Sequence, residues 1–231
     1  MTTNSSKKLG PKPIVFSTLE EFVEQVGSVR NRNDVDEFFF APKNSISCVE
    51  DVVRESVDGN TFRAFRFRSA GIGNLKPSVL YRSWTTIWLQ QNLASIKTMR
   101  SREEWQEFVV KGARELRDHW IDATRQQHDI QFGRAIKLLN LSVKFLLRLE
   151  TLPIDRRKEI LNWLDVPLDR FTLQGIRIVA PELGIPPNAS MGWVLDESQY
   201  LRIQKKIRGL CEPTMWPVHY EVFAFNSAHR K

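Results

Sequence analysis

Apolar positions along this chain fall at helical spacing far more often than in alternation. In STLEEFVEQV, Leu19, Phe22, Val23 and Val26 share one helical face, and Ser17 stands three positions ahead of Glu20, the spacing of a capping box. A first helix is expected there. DVDEFFFAPKNSISCVEDVVRESV predicts a turn at Ala41-Pro42 and a second helix near residues 47–57, closed by Asp58-Gly59-Asn60. TFRAFRFR then alternates, with Phe65 and Phe67 on one side and Arg66 and Arg68 on the other, which predicts a short strand. Its basic face would be either a solvated edge or a binding ribbon.

After the Gly-containing SAGIGNLKP the pattern turns helical and stays so. Seven stretches follow: PSVLYRSWTTIWLQQNLASI, SREEWQEFVVKGARELRDHWI, QFGRAIKLLNLSVKFLLRL, DRRKEILNWL, DRFTLQGIRIVA, DESQYLRIQKKIRGL and PVHYEVFAFNSAHR, joined by segments carrying Pro, Gly, Asn or Asp. The third is apolar around more than half its circumference, through Phe132, Ala135, Ile136, Leu139, Val143, Leu146 and Leu147, and should be the central buried helix. Its remaining stripe is basic: Arg134, Lys137, Lys144 and Arg148, at steps of three, seven and four. Such a stripe is either a solvated face or a surface turned to DNA phosphates or to a buried acid. The fold class is therefore mainly α, a multi-helix bundle with a small mixed α/β N-terminal part. We divide it into a mobile basic tail (1–12), the mixed part (13–75) and the helical part (76–231).

Composition narrows the partners. Hydrophobic residues make up 42% of the 231 positions, enough for a sizeable core, and no apolar run approaches the roughly 18 residues a membrane span needs. With no signal-peptide pattern, a cytoplasmic protein without membrane contact is expected. The net charge of +7 favours a polyanionic partner. Cys48 and Cys211 lie in no CxxC, and His119, His128, His219 and His229 share no metal-ligand spacing, so neither a metal nor another cofactor is expected. GIGN at residues 71–74 lacks the third glycine and the lysine of phosphate-binding loops, and no GxSxG elbow is present.

One carboxylate stands out by its setting. In WLDVPLDRFTL, Pro167 fixes its own φ and extends its predecessor, so the chain enters a helix at or just after Asp169. There the carboxylate meets free backbone N–H groups and the positive end of the helix dipole, which favour its ionised form. Asp169 is either a helix cap alone or a rigidly held anion able to stabilise a positively charged transition state.

VPLDRFTLQGI resembles the segment of helix-hairpin-helix base-excision DNA glycosylases in which Pro, an aliphatic residue and Asp introduce a helix. IKLLNLSVKFL, upstream, is similar to the buried helix of the archaeal 8-oxoguanine glycosylase branch. YLRIQKKIRGL and PVHYEVFAFNSAHR are similar to its last two helices. The resemblance spans about residues 131–230 and rests on the common order of these motifs. It implies a glycosylase-like bundle and cleavage of an N-glycosidic bond, with Asp169 catalytic. Glu221 and Phe225 would meet a flipped base, and Gln131, Gly133, Arg134 and Arg170 would contact DNA. Trp84 and Trp88, four apart, are core residues or a pocket wall. The Gly-rich hairpin is not recognisable, and Ile130 and Gln131 stand where that branch carries a nucleophilic lysine. The implied enzyme is therefore a monofunctional monomer acting on double-stranded DNA with a flipped modified base, unless Lys137 substitutes as nucleophile. Two other classes fit the residues: a non-enzymatic nucleic-acid-binding helical module, and a helical protein-interaction domain.

Overall fold

The computed structural model describes residues 16–59, 61–64, 75–126 and 128–229. Helix α1 spans Leu19–Val26, and its N-cap is Thr18, whose hydroxyl accepts from Glu21 N at 3.1 Å while Glu21 Oε2 accepts from Ser17 N at 2.8 Å. The box is thus set one residue beyond Ser17-x-x-Glu20. Both frames suit the sequence; burial of Phe22 and Val26, with Leu19 and Val23 left outside, selects the second.

Helix α2 (Val29–Phe40) is not evident from apolar periodicity, because only Val35 and Phe39 supply buried apolar side chains. A third inward position is polar. Asn31 Nδ2 donates to Val26 O (2.7 Å) and His219 O (2.9 Å), joining the N-terminal helices to the far end of the chain. A 3-10 turn at Pro42–Asn44 takes the place of the expected turn, and α3 follows at Val49–Ser56.

Where it is described, the expected mixed α/β part is helical instead. Thr61–Ala64 forms a 3-10 turn whose first N–H is capped by Asp58 Oδ1 at 3.0 Å; Phe65, Arg66, Phe67 and Arg68, like the basic tail, lie outside the described residues. Among the described residues no strand occurs, and the extended pairing is one isolated parallel bridge between Ile46 and Leu149. Ile46 N donates to Arg148 O (2.8 Å) and Glu150 N donates to Ile46 O (2.9 Å). A strand needs a ladder to satisfy its backbone, and that pairing ends after one residue.

The rest of the chain follows the helical pattern: α4 (Pro77–Thr98), α5 (Arg102–Ala123), α6 (Phe132–Phe145, continued by a 3-10 turn at Leu146–Arg148), α7 (Ile154–Trp163), α8 (Arg170–Ile176), α9 (Glu197–Cys211) and α10 (Pro217–His229). Helix α6 is central, packed on α5 and α3, with Ala135, Ile136, Leu138, Leu139 and Val143 all but inaccessible to solvent. At about 1.5–3 kcal/mol for each large aliphatic side chain buried, this helix is the main apolar keystone. No helix among the described residues is long and apolar enough to cross a membrane.

Trp84 and Trp88 belong to the α4–α5 seam. Trp88 stacks on Phe108 with centroids 4.5 Å apart and on Trp84 at 5.6 Å, and Trp84 lies over His119 at 6.3 Å. Gly112 makes room for this ladder, since a β-carbon there would fall 2.3 Å from Trp88.

A buried polar network fixes the segment that leads to Asp169. Gln204 Oε1 accepts from Val166 N (3.0 Å) and its Nε2 donates to Val166 O (2.7 Å), while Arg208 donates to Asn162 O (2.9 Å) and Leu164 O (3.1 Å). Asp165 accepts from Gln106 Nε2 (2.8 Å) and the Tyr200 hydroxyl (3.0 Å), and burial pushes its carboxyl above the usual carboxylate range. The folded state therefore holds this proton to higher pH than the unfolded chain, a stabilisation present in acid and lost as pH rises through the raised value. Relative to Asp165→Asn, the wild type should gain stability as pH falls from neutrality towards the ordinary Asp range. Urea unfolding at a series of pH values reads this, and parallel profiles for the two proteins would exclude it.

Candidate active site

Asp169 sits at the N-cap of α8 in extended conformation (φ −116°, ψ −171°) after the buried Val166-Pro167-Leu168. Its Oδ1 accepts from Phe171 N (2.8 Å) and Thr172 N (3.1 Å), and Thr172 Oγ1 accepts from Asp169 N (2.9 Å), closing a reciprocal box. The capping role occupies one oxygen. The other, Oδ2, is turned to Lys137 Nζ of α6 at 3.9 Å. Tyr220 of α10 donates its hydroxyl proton to Thr172 O, tying the start of α8 to the last helix.

Asp169 and Lys137 open onto a cavity of about 660 Å³ that Glu221 and Phe225 of α10 also line. It is lined by α6 and α10 and by residues of α2, the 42–44 turn, α3 and the 58–61 segment. Glu221 is 7% exposed, and its Oε1 accepts from Lys144 Nζ at 2.8 Å, whereas Oε2 has no hydrogen-bond partner. A buried carboxylate oxygen left without a donor is costly. Glu221 as a residue lines the cavity, while this oxygen is itself closed to solvent. Phe225, 52% exposed, offers a ring at the same cavity.

The basic stripe of α6 is turned inward to carboxylates. Lys137 meets Asp169, Lys144 meets Glu221, and Arg148 Nη2 meets Glu55 of α3 at 3.2 Å. The Lys137 side chain is only 12% exposed. Of the two alternatives for this stripe, a solvated face does not fit these three residues. Arg148 also lies over the rings of Phe145 (5.1 Å) and Phe38 (5.5 Å), linking α2 to the end of α6.

The other sequence candidates lie elsewhere. Trp84 and Trp88 are in the α4–α5 seam and do not line the cavity. Gln131, exposed and with φ at +64°, caps α6, and Arg134 is half-buried in its first turn. Gly133 is buried against the 191–194 loop, where a β-carbon would fall 2.3 Å from the carbonyl oxygens of Met191 and Val194. Close packing alone requires glycine there. Arg170, next to the acid, is exposed. Sequence reasoning placed Lys144 in the stripe without assigning it to the site, and it missed Asp34, Glu37 and Asn44, whose helix α2 and following turn carry little apolar signal, and Glu55, on a helix that was expected but not assigned to any site.

Among the described residues no group of three or more His, Cys, Asp or Glu is placed to hold a metal ion. The arrangement instead brings a carboxylate and an amine, Asp169 and Lys137, to the same cavity as the Glu221 carboxylate and the Phe225 ring. Compared with family models, with curated proteins and with solved structures, the chain matches none.

Removing one member of a buried ion pair leaves the other uncompensated. Lys144→Ala should therefore cost about 3–5 kcal/mol in chemical denaturation. The double change Lys144→Met with Glu221→Leu should recover most of that loss; equal destabilisation of the single and double variants would contradict it.

Proposed function

We propose that this chain is a DNA glycosylase that hydrolyses the N-glycosidic bond of a damaged or modified base and leaves an abasic site. The observation that carries this reading is the convergence of Asp169, Lys137, Glu221 and Phe225 on one cavity, four residues drawn from three separate parts of the sequence. A base in a duplex is out of reach, so the target nucleotide is flipped into the cavity. The ring lies against Phe225 and presents a donor to Glu221 Oε2. When the C1′–N bond breaks, its electron pair leaves with the base, and the positive charge developing on the sugar is stabilised by the fixed Asp169 carboxylate. Water then adds at C1′; one of its protons passes to the carboxylate and on to solvent, and the departing base takes up a proton at nitrogen. The net charge of +7 supports the approach of DNA.

The 3.9 Å between Lys137 Nζ and Asp169 Oδ2 favours a second reading of the same site. Here the Lys137 amine, having given a proton to Asp169, attacks C1′, the base leaves, and opening of the sugar ring gives a Schiff base in place of hydrolysis. Borohydride would then trap a covalent adduct with wild-type protein and none with Lys137→Ala. Base release without an adduct assigns hydrolysis.

Asparagine caps helices about as well as aspartate, so Asp169→Asn separates the cap from the charge. Its melting temperature should stay close to that of the wild type, while abasic-site formation falls by at least about 100-fold. Retained activity would remove Asp169 from the mechanism. A non-enzymatic nucleic-acid-binding module would release no base from any duplex and would bind undamaged DNA with a steep salt dependence.

A further inference from the structure

We infer that Tyr220 is a positioning residue for the proposed acid: its hydroxyl, donated to the Thr172 carbonyl, holds the turn of α8 from which Asp169 is aimed. The role rests on the glycosylase reading for what Asp169 does once it is aimed; how Asp169 is held is a matter of geometry.

Helix α8 has only seven residues, well below the roughly 12–15 that a helix needs to hold itself in water. Its first turn must therefore be fixed from outside, or the carboxylate at its head moves with it. Thr172 is where that fixing acts, because every polar group it carries is committed. Its N–H donates to Asp169 Oδ1 (3.1 Å), and its hydroxyl accepts from Asp169 N (2.9 Å) while donating to Pro167 O (2.9 Å). Its carbonyl oxygen has a second lone pair beyond the one that helix pairing uses, and there it accepts the Tyr220 hydroxyl. A buried phenol takes any acceptor within reach. Here the acceptor belongs to the residue that closes the box with Asp169, so displacing Thr172 displaces the acid's backbone and carboxylate together.

The anchor is itself rigid. Three consecutive residues of α10 are held by three other helices: His219 O accepts from Asn31 Nδ2 of α2 (2.9 Å), the Tyr220 ring lies 5.4 Å from that of Phe22 of α1, and Glu221 Oε1 accepts from Lys144 Nζ of α6 (2.8 Å). Phe16 meets Phe22 edge-on at 5.1 Å and stacks on Phe223 at 5.6 Å, which completes an aromatic cluster around the phenol. Tyr220, Phe16 and Phe22 are fully buried. Burial, with the nearby Asp169 charge adding to it, pushes the phenol well above its usual range, so it remains a donor. The start of the chain thus reaches the acid through Phe22, Tyr220 and Thr172 in turn.

Tyr220→Phe keeps the ring and its packing and removes only the donor. The test uses the full chain with duplexes carrying 8-oxoguanine or a hexose-bearing hydroxymethylcytosine. For a base that the wild type releases, single-turnover release should fall by roughly tenfold to 100-fold while affinity for the same duplex is unchanged. Thr172→Ser, which keeps the hydroxyl, should retain the wild-type rate, and Thr172→Val, which loses the bonds to Asp169 N and Pro167 O, should slow as Tyr220→Phe does. Hydrogen exchange followed by NMR reads the same contact without DNA. In Tyr220→Phe the amides of Phe171 and Thr172, which Asp169 caps, should speed up at least about tenfold more than those of α6. An equal change at both places, or a wild-type release rate, overturns the positioning role and leaves the glycosylase reading standing. Faster exchange confined to the start of α8, with no base released from any duplex even by the wild type, does the reverse.

Discussion

The structure turns on one constraint: the central helix α6 is buried, yet it carries a line of cations. A lysine or arginine taken out of water costs several kcal/mol unless a carboxylate meets it with good geometry. Each of the three inward cations is met by a different element. Asp169 comes from the cap of α8, Glu221 from α10 and Glu55 from α3. The demand for partners thus draws three distant parts of the chain around one face of α6, and the space they leave between them is the cavity. An all-apolar α6 could be packed as tightly, but it would not require polar groups to converge there.

The two carboxylates nearest the proposed chemistry share a second property. Each has one oxygen committed to the protein and one left over. At Asp169 the helix cap takes Oδ1 and leaves Oδ2 beside Lys137; at Glu221, Lys144 takes Oε1 and leaves Oε2 bare. The committed oxygen fixes the rotamer of each side chain, and with it the position of the second oxygen. The proposed chemistry requires preorganisation of this kind. The segment behind Asp169 serves the same end: Gln204 occupies both the N–H and the C=O of Val166, which leaves the chain little freedom three residues before the acid.

How much of this was legible in the sequence follows from the range of the forces involved. Helices α4 to α10, the burial of α6 and the cap at Asp169 come from local periodicity and from the fixed φ of Pro167, and these are visible in one stretch at a time. That Glu221 and Phe225 share a face of α10 is local as well. Helix α2 is different, since much of its anchoring is polar, through Asn31 bonds to Val26 and to His219, the latter 188 positions away in the chain. No pattern of apolar residues could reveal it. The shift of the first cap from Ser17 to Thr18 was decided by which side chains the core accepts, and Thr61–Ala64, which precedes the Phe/Arg alternation, is a 3-10 turn. Trp84 and Trp88 were ambiguous for a related reason: spacing of four puts two rings on one face without saying whether that face meets a helix or a cavity.

The N-terminal helices therefore have a larger part than a sequence reading confined to residues 131–230 assigns them. Helices α2 and α3 line the same cavity as Asp169, and the N-terminal part is held by the Ile46–Leu149 bridge, by Arg148 stacked over Phe38 and by Asn31 against α10.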